Sequence, residues 1–254
     1  MDAAHIAAAA AALGTGRGLA DLPPGQRPHD RAEGYAIQAG WIAGPLIGWK
    51  IAATNVAGQR HIGVDGPLVG RFNAAMVHSD GATLSLAGNA MRVAEAEIGF
   101  VFSRDLPPRA AEYSRAEVLD AVACLRLGIE VPDSRFADFV RAGGPQLIAD
   151  NACAWQHVLG PEIADWRGHD LAAQPVLARV GGRYTRDGSG ANVLGDPRTA
   201  LHWMVNECRA QGIPLLAGQF VTTGTTTNPL EIVPGDTVIA EFPGLGRVTA
   251  HFTA

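Results

Sequence analysis

Glu95 and Glu97 stand one residue apart in the run Arg92-Val93-Ala94-Glu95-Ala96-Glu97-Ile98-Gly99-Phe100-Val101-Phe102. A strand alternates with a period of two, so both carboxylates share a face with Val93, while Ala94, Ala96 and Ile98 line the other. Two carboxylates about 7 Å apart on one strand face repel each other if both are charged and buried. On a solvated face they are harmless. The apolar sequence on either side argues for partial burial, and so for a compensating cation. A third carboxylate, Glu130, sits in a similar apolar stretch at 125–131, just ahead of Pro132-Asp133-Ser134-Arg135. Three oxygen ligands with no His or Cys nearby suit Mg²⁺ or Mn²⁺, with water or substrate at the open positions. Spacing alone leaves a solvated strand face as the alternative.

Lysine usage points to a fourth residue. Of the 20 basic residues 19 are Arg, and the one lysine, Lys50, lies in the apolar run Pro45-Leu46-Ile47-Gly48-Trp49-Lys50-Ile51-Ala52. Arginine replaces lysine as a surface charge, but it cannot shed its proton or act as a compact point donor. A lysine retained here is read as one whose amine does chemistry. The run Thr222-Thr223-Gly224-Thr225-Thr226-Thr227 offers hydroxyls and backbone N–H groups at a glycine turn, a pattern that can hold a carboxylate; a strand running into a turn reads equally well. Gly188-Ser189-Gly190-Ala191-Asn192 lacks the strand-to-helix setting of a phosphate loop. No G-x-S-x-G elbow occurs, and none of the cysteines has a histidine partner in sequence. His61 and His157 are read as satisfied, packed residues.

The elements that must position these groups are mixed, with strands dominating the middle and end. Helical spacing marks 2–13 and 30–43, the latter with Tyr35, Ile37, Trp41 and Ile42 as candidate buried positions. A strand then carries Lys50, and 55–62 forms a short polar helix ending at Gly63. Further strands are expected at 93–102, 128–131, 153–159, 175–180, 220–223, 237–242 and 247–252. An amphipathic helix is expected over 114–127, with Ser114 and Glu117 as a capping box. Another is expected over 198–210, entered through Gly195-Asp196-Pro197. The segment 1–43 is taken as a helical appendage on a β-rich body, 44–254, without internal repeats.

The whole chain has 254 residues, 47% of them hydrophobic, and a net charge of -5. Those values exclude disorder over most of its length and suit one large domain. An acidic pI near 5.9 without Lys or Arg runs argues against nucleic acid. The longest apolar stretch, 6–13, is too short to cross a membrane and follows no basic segment of the kind a secretory signal carries. Cys124, Cys153 and Cys208 are scattered, as expected of a reduced, cytoplasmic chain.

Several motifs together resemble a known family. Gly48-Trp49-Lys50-Ile51-Ala52-Ala53-Thr54, then Gly63-Val64-Asp65-Gly66-Pro67 and Gly70, are similar to the GxKxGLT…GVDxPxxG segment of 2-oxopent-4-enoate hydratases, in the fumarylacetoacetate hydrolase superfamily. The likeness continues through Glu95-Ala96-Glu97-Ile98, Ile129-Glu130-Val131-Pro132-Asp133-Ser134-Arg135, Asp150-Asn151-Ala152 and Val193-Leu194-Gly195-Asp196-Pro197 to Val221-Thr222-Thr223-Gly224-Thr225, Pro234-Gly235-Asp236 and Gly244-Leu245-Gly246. Tyr35-Ala36-Ile37-Gln38 resembles the family's N-terminal helix.

The resemblance implies an α+β fold, a β-rich roll with a helical N-terminal region. It implies a divalent metal on Glu95, Glu97 and Glu130, chelating a small unsaturated 2-oxo or 2-hydroxy acid. Lys50 falls at the family's active-site lysine, and its amine, among apolar neighbours and near a metal, is expected to be less basic than usual. Lys50 and Glu130 are the implied catalytic residues; Lys50, Gly224 and Thr225 are the implied substrate contacts. Addition of water to a 2-hydroxy-2,4-dienoate to give a 4-hydroxy-2-oxo acid ranks first. Decarboxylation of a 2-oxo-3-enedioate ranks second and acylpyruvate-type C–C hydrolysis third. A non-catalytic oxo-acid binder is the alternative of a different class. A homo-oligomer and a place in aromatic-compound catabolism are also implied.

The sequence departs from the pattern at Ala52 and Ala53, which stand where the family has Gly and Leu. It also has no carboxylate between Gly70 and Asp80, where these hydratases often carry one. The hydrolases' His–Glu pair has only His29 with Glu33 as its counterpart.

Overall fold

Residues 93–102, with Ala94, Ala96, Ile98, Phe100 and Phe102 on one face and Glu95 and Glu97 on the other, form a long two-sided strand that is the spine of the molecule. The computed structural model describes residues 1–254. In chain order the strands are β1 (Leu46–Ala52), β2 (Leu68–Asn73), β3 (Val77–Ser79), β4 (Ala82–Ser85), β5 (Val93–Phe102), β6 (Val122–Val131) and β7 (Gln156–Ile163). There follow β8 (Pro175–Val180), β9 (Tyr184–Ser189), β10 (Phe220–Thr225), β11 (Leu230–Glu231), β12 (Thr237–Phe242) and β13 (Gly246–Thr253). The helices are α1 (Ala3–Thr15), α2 (Arg31–Trp41), α3 (Val56–His61), α4 (Arg115–Asp120), α5 (Gly144–Ala149) and α6 (Pro197–Ala210).

The larger sheet runs β2-β1-β10-β5-β6-β7-β3, with β11 paired to the start of β5; the smaller runs β4-β13-β12-β8-β9. Most pairs are antiparallel, but β1–β10, β3–β7 and β4–β13 are parallel, so both sheets are mixed. The two sheets share one apolar core: Ile98, Phe100, Leu125 and Ile129 of the larger and Val238, Ala240, Val248 and Ala250 of the smaller are all completely buried. This is the α+β, β-rich architecture expected.

Two elements differ from expectation. The capping box of Ser114 and Glu117 forms, but the helix it starts ends at Asp120 and a strand begins at Val122. Antiparallel pairing of β6 with β5, Leu125 opposite Phe100 and Leu127 opposite Ile98, wins over helical continuation to 127. The strand expected at 153–159 begins only at Gln156, because Asn151, Ala152 and Cys153 all take left-handed backbone angles, φ 60°, 49° and 61°.

The N-terminal helices are capped as their sequences dictate: Asp2 accepts from His5 N and Asp30 from Glu33 N. Ala9, Ala10, Leu13 and Ile37 form a small cluster with Phe136 and Ala149. Polar anchors add to it. Buried Gln38 donates to Val69 O (2.9 Å) and Ile148 O (2.8 Å), and Trp41 Nε1 donates to Ala149 O (2.8 Å). Beneath α2, Arg135 and Asp150 form a fully buried ion pair, with Ser134 Oγ also donating to Asp150. This pair fixes the start of the left-handed turn, since Arg135 also donates to Asp150 O and Ala154 O.

Removing one partner of a buried pair leaves the other charge uncompensated, at a cost of about 3–5 kcal/mol. Arg135→Leu is therefore expected to lower unfolding free energy by about that much, measured by urea denaturation. A loss under about 1 kcal/mol, the range of a surface pair, would show that the pair does not hold this turn.

Candidate active site

Register brings the carboxylates together. Glu95 on β5 lies opposite Glu130 on β6, and Glu97 lies opposite both Gly128 on β6 and Thr225 on β10. One carboxylate oxygen from each of Glu95, Glu97 and Glu130 lies within 4.8 Å of the other two. Lys50, on β1, pairs with Thr222 of β10 and reaches across, its Nζ 2.7 Å from Glu130 Oε1. Glu97, Glu130 and Lys50 are buried, and Glu95 meets solvent through a cavity of about 510 Å³ that it lines with Lys50, Gly224, Thr225 and Cys153.

Glycines make this approach possible. Gly70 lies opposite Lys50, and a Cβ there would overlap Asn151 O and come within 2.8 Å of Lys50 Cγ. Gly224 sits in an irregularity of β10 at φ 105°, where a Cβ would overlap Thr54 Oγ1. Its N–H donates to Glu97 Oε2 at 3.0 Å. The hydroxyls of the threonine run are mostly tied to backbone: Thr223 Oγ1 to Ile98 O (2.8 Å), Thr225 Oγ1 to Thr227 O (2.8 Å) and Thr226 Oγ1 to Ala96 O (2.7 Å). The turn therefore braces β5 and aims Glu97 into the cluster.

Burial pushes the Glu95 carboxyl up to about 7, helped by Glu130 and opposed by Lys50. Burial likewise holds Glu97 well above the usual carboxylate range, with Glu130 and then Glu95 adding to it. Burial also pulls the Lys50 amine down, but Glu130, then Glu95, outweigh it and hold the amine above its ordinary value. Without a cation, the carboxylates, and not the apolar neighbours, decide the charge of Lys50. The cluster fits a hard divalent cation. It offers only oxygen donors, Glu97 Oε1 and Glu130 Oε2 are buried without a hydrogen-bond donor, and one amine cannot balance three carboxylates.

Other residues of interest fall elsewhere. His157 lies opposite Glu130 on β7, packed 5.6 Å from the Phe220 ring and 5.3 Å from Phe72. Burial pushes its imidazole down to about 3, and neither ring nitrogen has a partner, so it is packed but not satisfied. His29 and Glu33 form an exposed contact (3.2 Å) that also takes the Met1 ammonium, and neither lines the cavity. Asp80 accepts from Thr249 N (2.7 Å), so the acid that follows Gly70 in sequence is outside the cavity as well. His61, exposed on α3, stands edge-on to Phe139 at the cavity wall, with centroids 6.0 Å apart. Asn55, Met91, Phe139 and Asn228 also line the cavity. Sequence reasoning singled out none of these four, because connections with no periodicity of their own bring them in.

Residues 59–253 match the family model described as fumarylacetoacetate (FAA) hydrolase C-terminal. The chain belongs to the fumarylacetoacetate hydrolase family. Among curated relatives of this family member, the 2-keto-4-pentenoate hydratase of Burkholderia vietnamiensis is 35% identical over 209 residues, covering 82% of this chain and 78% of the relative. The 2-keto-4-pentenoate hydratase 1 of Dechloromonas aromatica is 31% identical over 248 residues, 95% of this chain and 93% of the relative. Among solved structures, 4-oxalocrotonate decarboxylase from Pseudomonas putida G7, complexed with magnesium and adipate, superposes with a TM-score of 0.88. It is 24% identical, covers 99% of this chain and 98% of that one, and so shares the fold.

The raised carboxylates of this family member make its stability depend on pH. A carboxyl whose folded value lies above its unfolded value of 4.5 binds its proton more tightly in the folded state. Its contribution is thus complete at low pH and is lost as pH rises through about 7. With chelator present, the melting temperature is expected to fall by several degrees between about pH 5 and pH 8. Mg²⁺ should restore it at the upper end. A flat profile with no gain from Mg²⁺ would contradict a cation site at these glutamates.

Proposed function

We propose that this chain is a divalent-metal-dependent hydro-lyase that adds water to a small 2-hydroxy-2,4-dienoate, the enol of a 2-oxo-4-enoate, giving a 4-hydroxy-2-oxo acid. The observation that carries the reading is the set of three convergent carboxylates with a buried lysine 2.7 Å from one of them, at the inner end of a cavity. The hydratase relatives support the choice of reaction. Glu95, Glu97 and Glu130 would hold Mg²⁺ or Mn²⁺. A cation held there supplies Lewis-acid charge for an anionic 2-oxo acid.

In the net reaction water adds to C4 as a hydroxyl, and the proton it gives up together with the 2-hydroxyl proton end on C5 and C3. Lys50, which lines the cavity, would deliver and recover these protons, with Glu130, 2.7 Å away, orienting its Nζ. Gly224 and Thr225 line the cavity and would face the substrate carboxylate. Because the Gly224 N–H is committed to Glu97, contact with a substrate carboxylate falls to the Thr225 hydroxyl, which would turn from Thr227 O to make it. The same reading makes the chain a cytoplasmic homo-oligomer of aromatic-compound catabolism. Its three cysteines are free, and no helix is long and apolar enough to cross a membrane.

The test offers 2-hydroxypenta-2,4-dienoate and 2-oxohex-3-enedioate side by side with Mg²⁺ or Mn²⁺, following dienol absorbance, products and CO₂. Metal-dependent formation of a 4-hydroxy-2-oxo acid is expected. Lys50→Ala should lower kcat by roughly 10²–10⁴-fold while calorimetry shows metal binding retained. Release of CO₂ from the enedioate would move the assignment to a decarboxylase. Silence on both substrates would overturn the proposal.

A further inference from the structure

The face of the larger sheet that carries Glu95, Glu97, Glu130 and Lys50 continues into a layer of rings. Phe72 stands on β2 and His157 on β7, far apart in the strand order, yet their rings lie 5.3 Å apart. The sheet therefore curls, and this face is the inside of a roll. Phe220 of β10 stacks on His157 at 5.6 Å and on Phe72 at 5.7 Å, and all three are buried. Val101 and Leu159, further from the glutamates along β5 and β7, pack against this layer.

The layer and its border hold two polar groups without a hydrogen-bond partner. His157 is completely buried and neither Nδ1 nor Nε2 is paired; Thr222 Oγ1 is buried and unpaired as well. Out of water the imidazole is neutral, with one N–H to donate. A phenylalanine would fill the space beside Phe72 and Phe220 without stranding two nitrogens, so packing alone does not account for a histidine. Register sets both groups against the carboxylates. His157 lies opposite Glu130, and its ring leans over Gly128, the partner of Glu97, where a Cβ would overlap Nε2. Thr222 lies between Lys50 of β1 and Gly99 of β5, one step along the same face from Glu97. Residues opposed across strands hold their Cβ atoms about 5 Å apart. On this face Glu97 Oε1 and Glu130 Oε2 are buried carboxylate oxygens that lack a donor.

We propose that His157 and Thr222 are positioning residues of the cation site, donors that hold the inner oxygens of Glu97 and Glu130 when those carboxylates bind a divalent cation. The proposal rests on the reading, given under Proposed function, that the three glutamates hold that cation. Neither residue lines the cavity, so both act through the glutamates and not on the substrate. A donor behind a ligating carboxylate fixes its orientation, and losing such a donor typically costs roughly 10–100-fold in metal affinity.

Calorimetric titration of the full chain with Mg²⁺ alone, beside thermal melts in chelator, separates this role from packing. His157→Phe and Thr222→Val keep close to the shape of each side chain and remove its hydrogen-bonding atoms. Each is expected to weaken Mg²⁺ binding by roughly tenfold or more. Each should also melt in chelator no earlier than the unmodified protein, because an apolar group has replaced an unpaired buried polar one. Thr222→Ser, which keeps the hydroxyl, should bind Mg²⁺ as the unmodified protein does. Mg²⁺ affinity left within about threefold in both variants overturns the proposal. So does weaker binding that comes with an earlier melt in chelator and that Thr222→Ser fails to restore, the mark of lost packing. No Mg²⁺ binding by the unmodified protein is a different failure, that of the cation reading itself, and it takes this proposal with it.

Discussion

Three carboxylates with oxygens within 4.8 Å of one another would, if all ionised, repel by a few kcal/mol per pair at an effective dielectric near 20. Together with burial, this is why Glu95 and Glu97 hold their protons above the usual carboxylate range. One ammonium offsets part of the repulsion, and much of the surrounding structure holds the groups in place against the remainder. The β5–β6 register is the main restraint. A slip of one residue would carry Glu95 and Glu97 to the opposite face, into a core where Ala94, Ala96 and Ile98 are completely buried. Apolar burial on one face thus fixes charge crowding on the other. Backbone does the rest: Gly224 donates to Glu97, and Gly70 lets the Asn151 carbonyl approach the strand opposite Lys50.

The parts of this arrangement that a local pattern encodes were legible in the sequence. β5 alternates so regularly that its bounds and its two faces could be read directly, and with them the pairing of Glu95 and Glu97 on one side. Lys50 stood out by composition. The contact between Lys50 and Glu130 could not be read from spacing, since 80 positions separate them and only the order β1-β10-β5-β6 brings them within 2.7 Å. Residues 114–127 misled for a physical reason. Val118, Val122 and Leu125 keep a helical spacing, so nothing local announces that the helix stops at Asp120; pairing with β5 decides it.

The left-handed turn at Asn151–Cys153 was equally illegible. Asparagine tolerates this conformation, but for alanine and cysteine it costs about 1–3 kcal/mol each. Only long-range contacts sustain it: the Asn151 side chain accepts from Arg71 N (2.7 Å) and donates to Arg71 O (2.9 Å), while the Arg135–Asp150 pair fixes the residues before it. The turn in exchange presents Ala152 and Cys153 to the cavity beside Lys50. The resemblance noted at Asp150-Asn151-Ala152 marked the place without giving its shape.

The two ends of the cavity are held by different kinds of structure, and that difference bears on how such a site can change. The carboxylate end is written into strand register, where moving any one ligand means moving a whole strand against a packed core. The rest of the lining comes partly from Leu68 of β2 and Val93 of β5, and partly from α3, the turn around Phe139 and the segment 227–229, elements that no extended ladder ties to the sheet. Side chains there can change in size or charge at the cost of local packing alone. A fold so divided can keep one way of holding a 2-oxo acid while the rest of the molecule it accepts varies. The carboxylate cluster is then set by the sheet, and much of the remaining cavity wall by the connections between its strands.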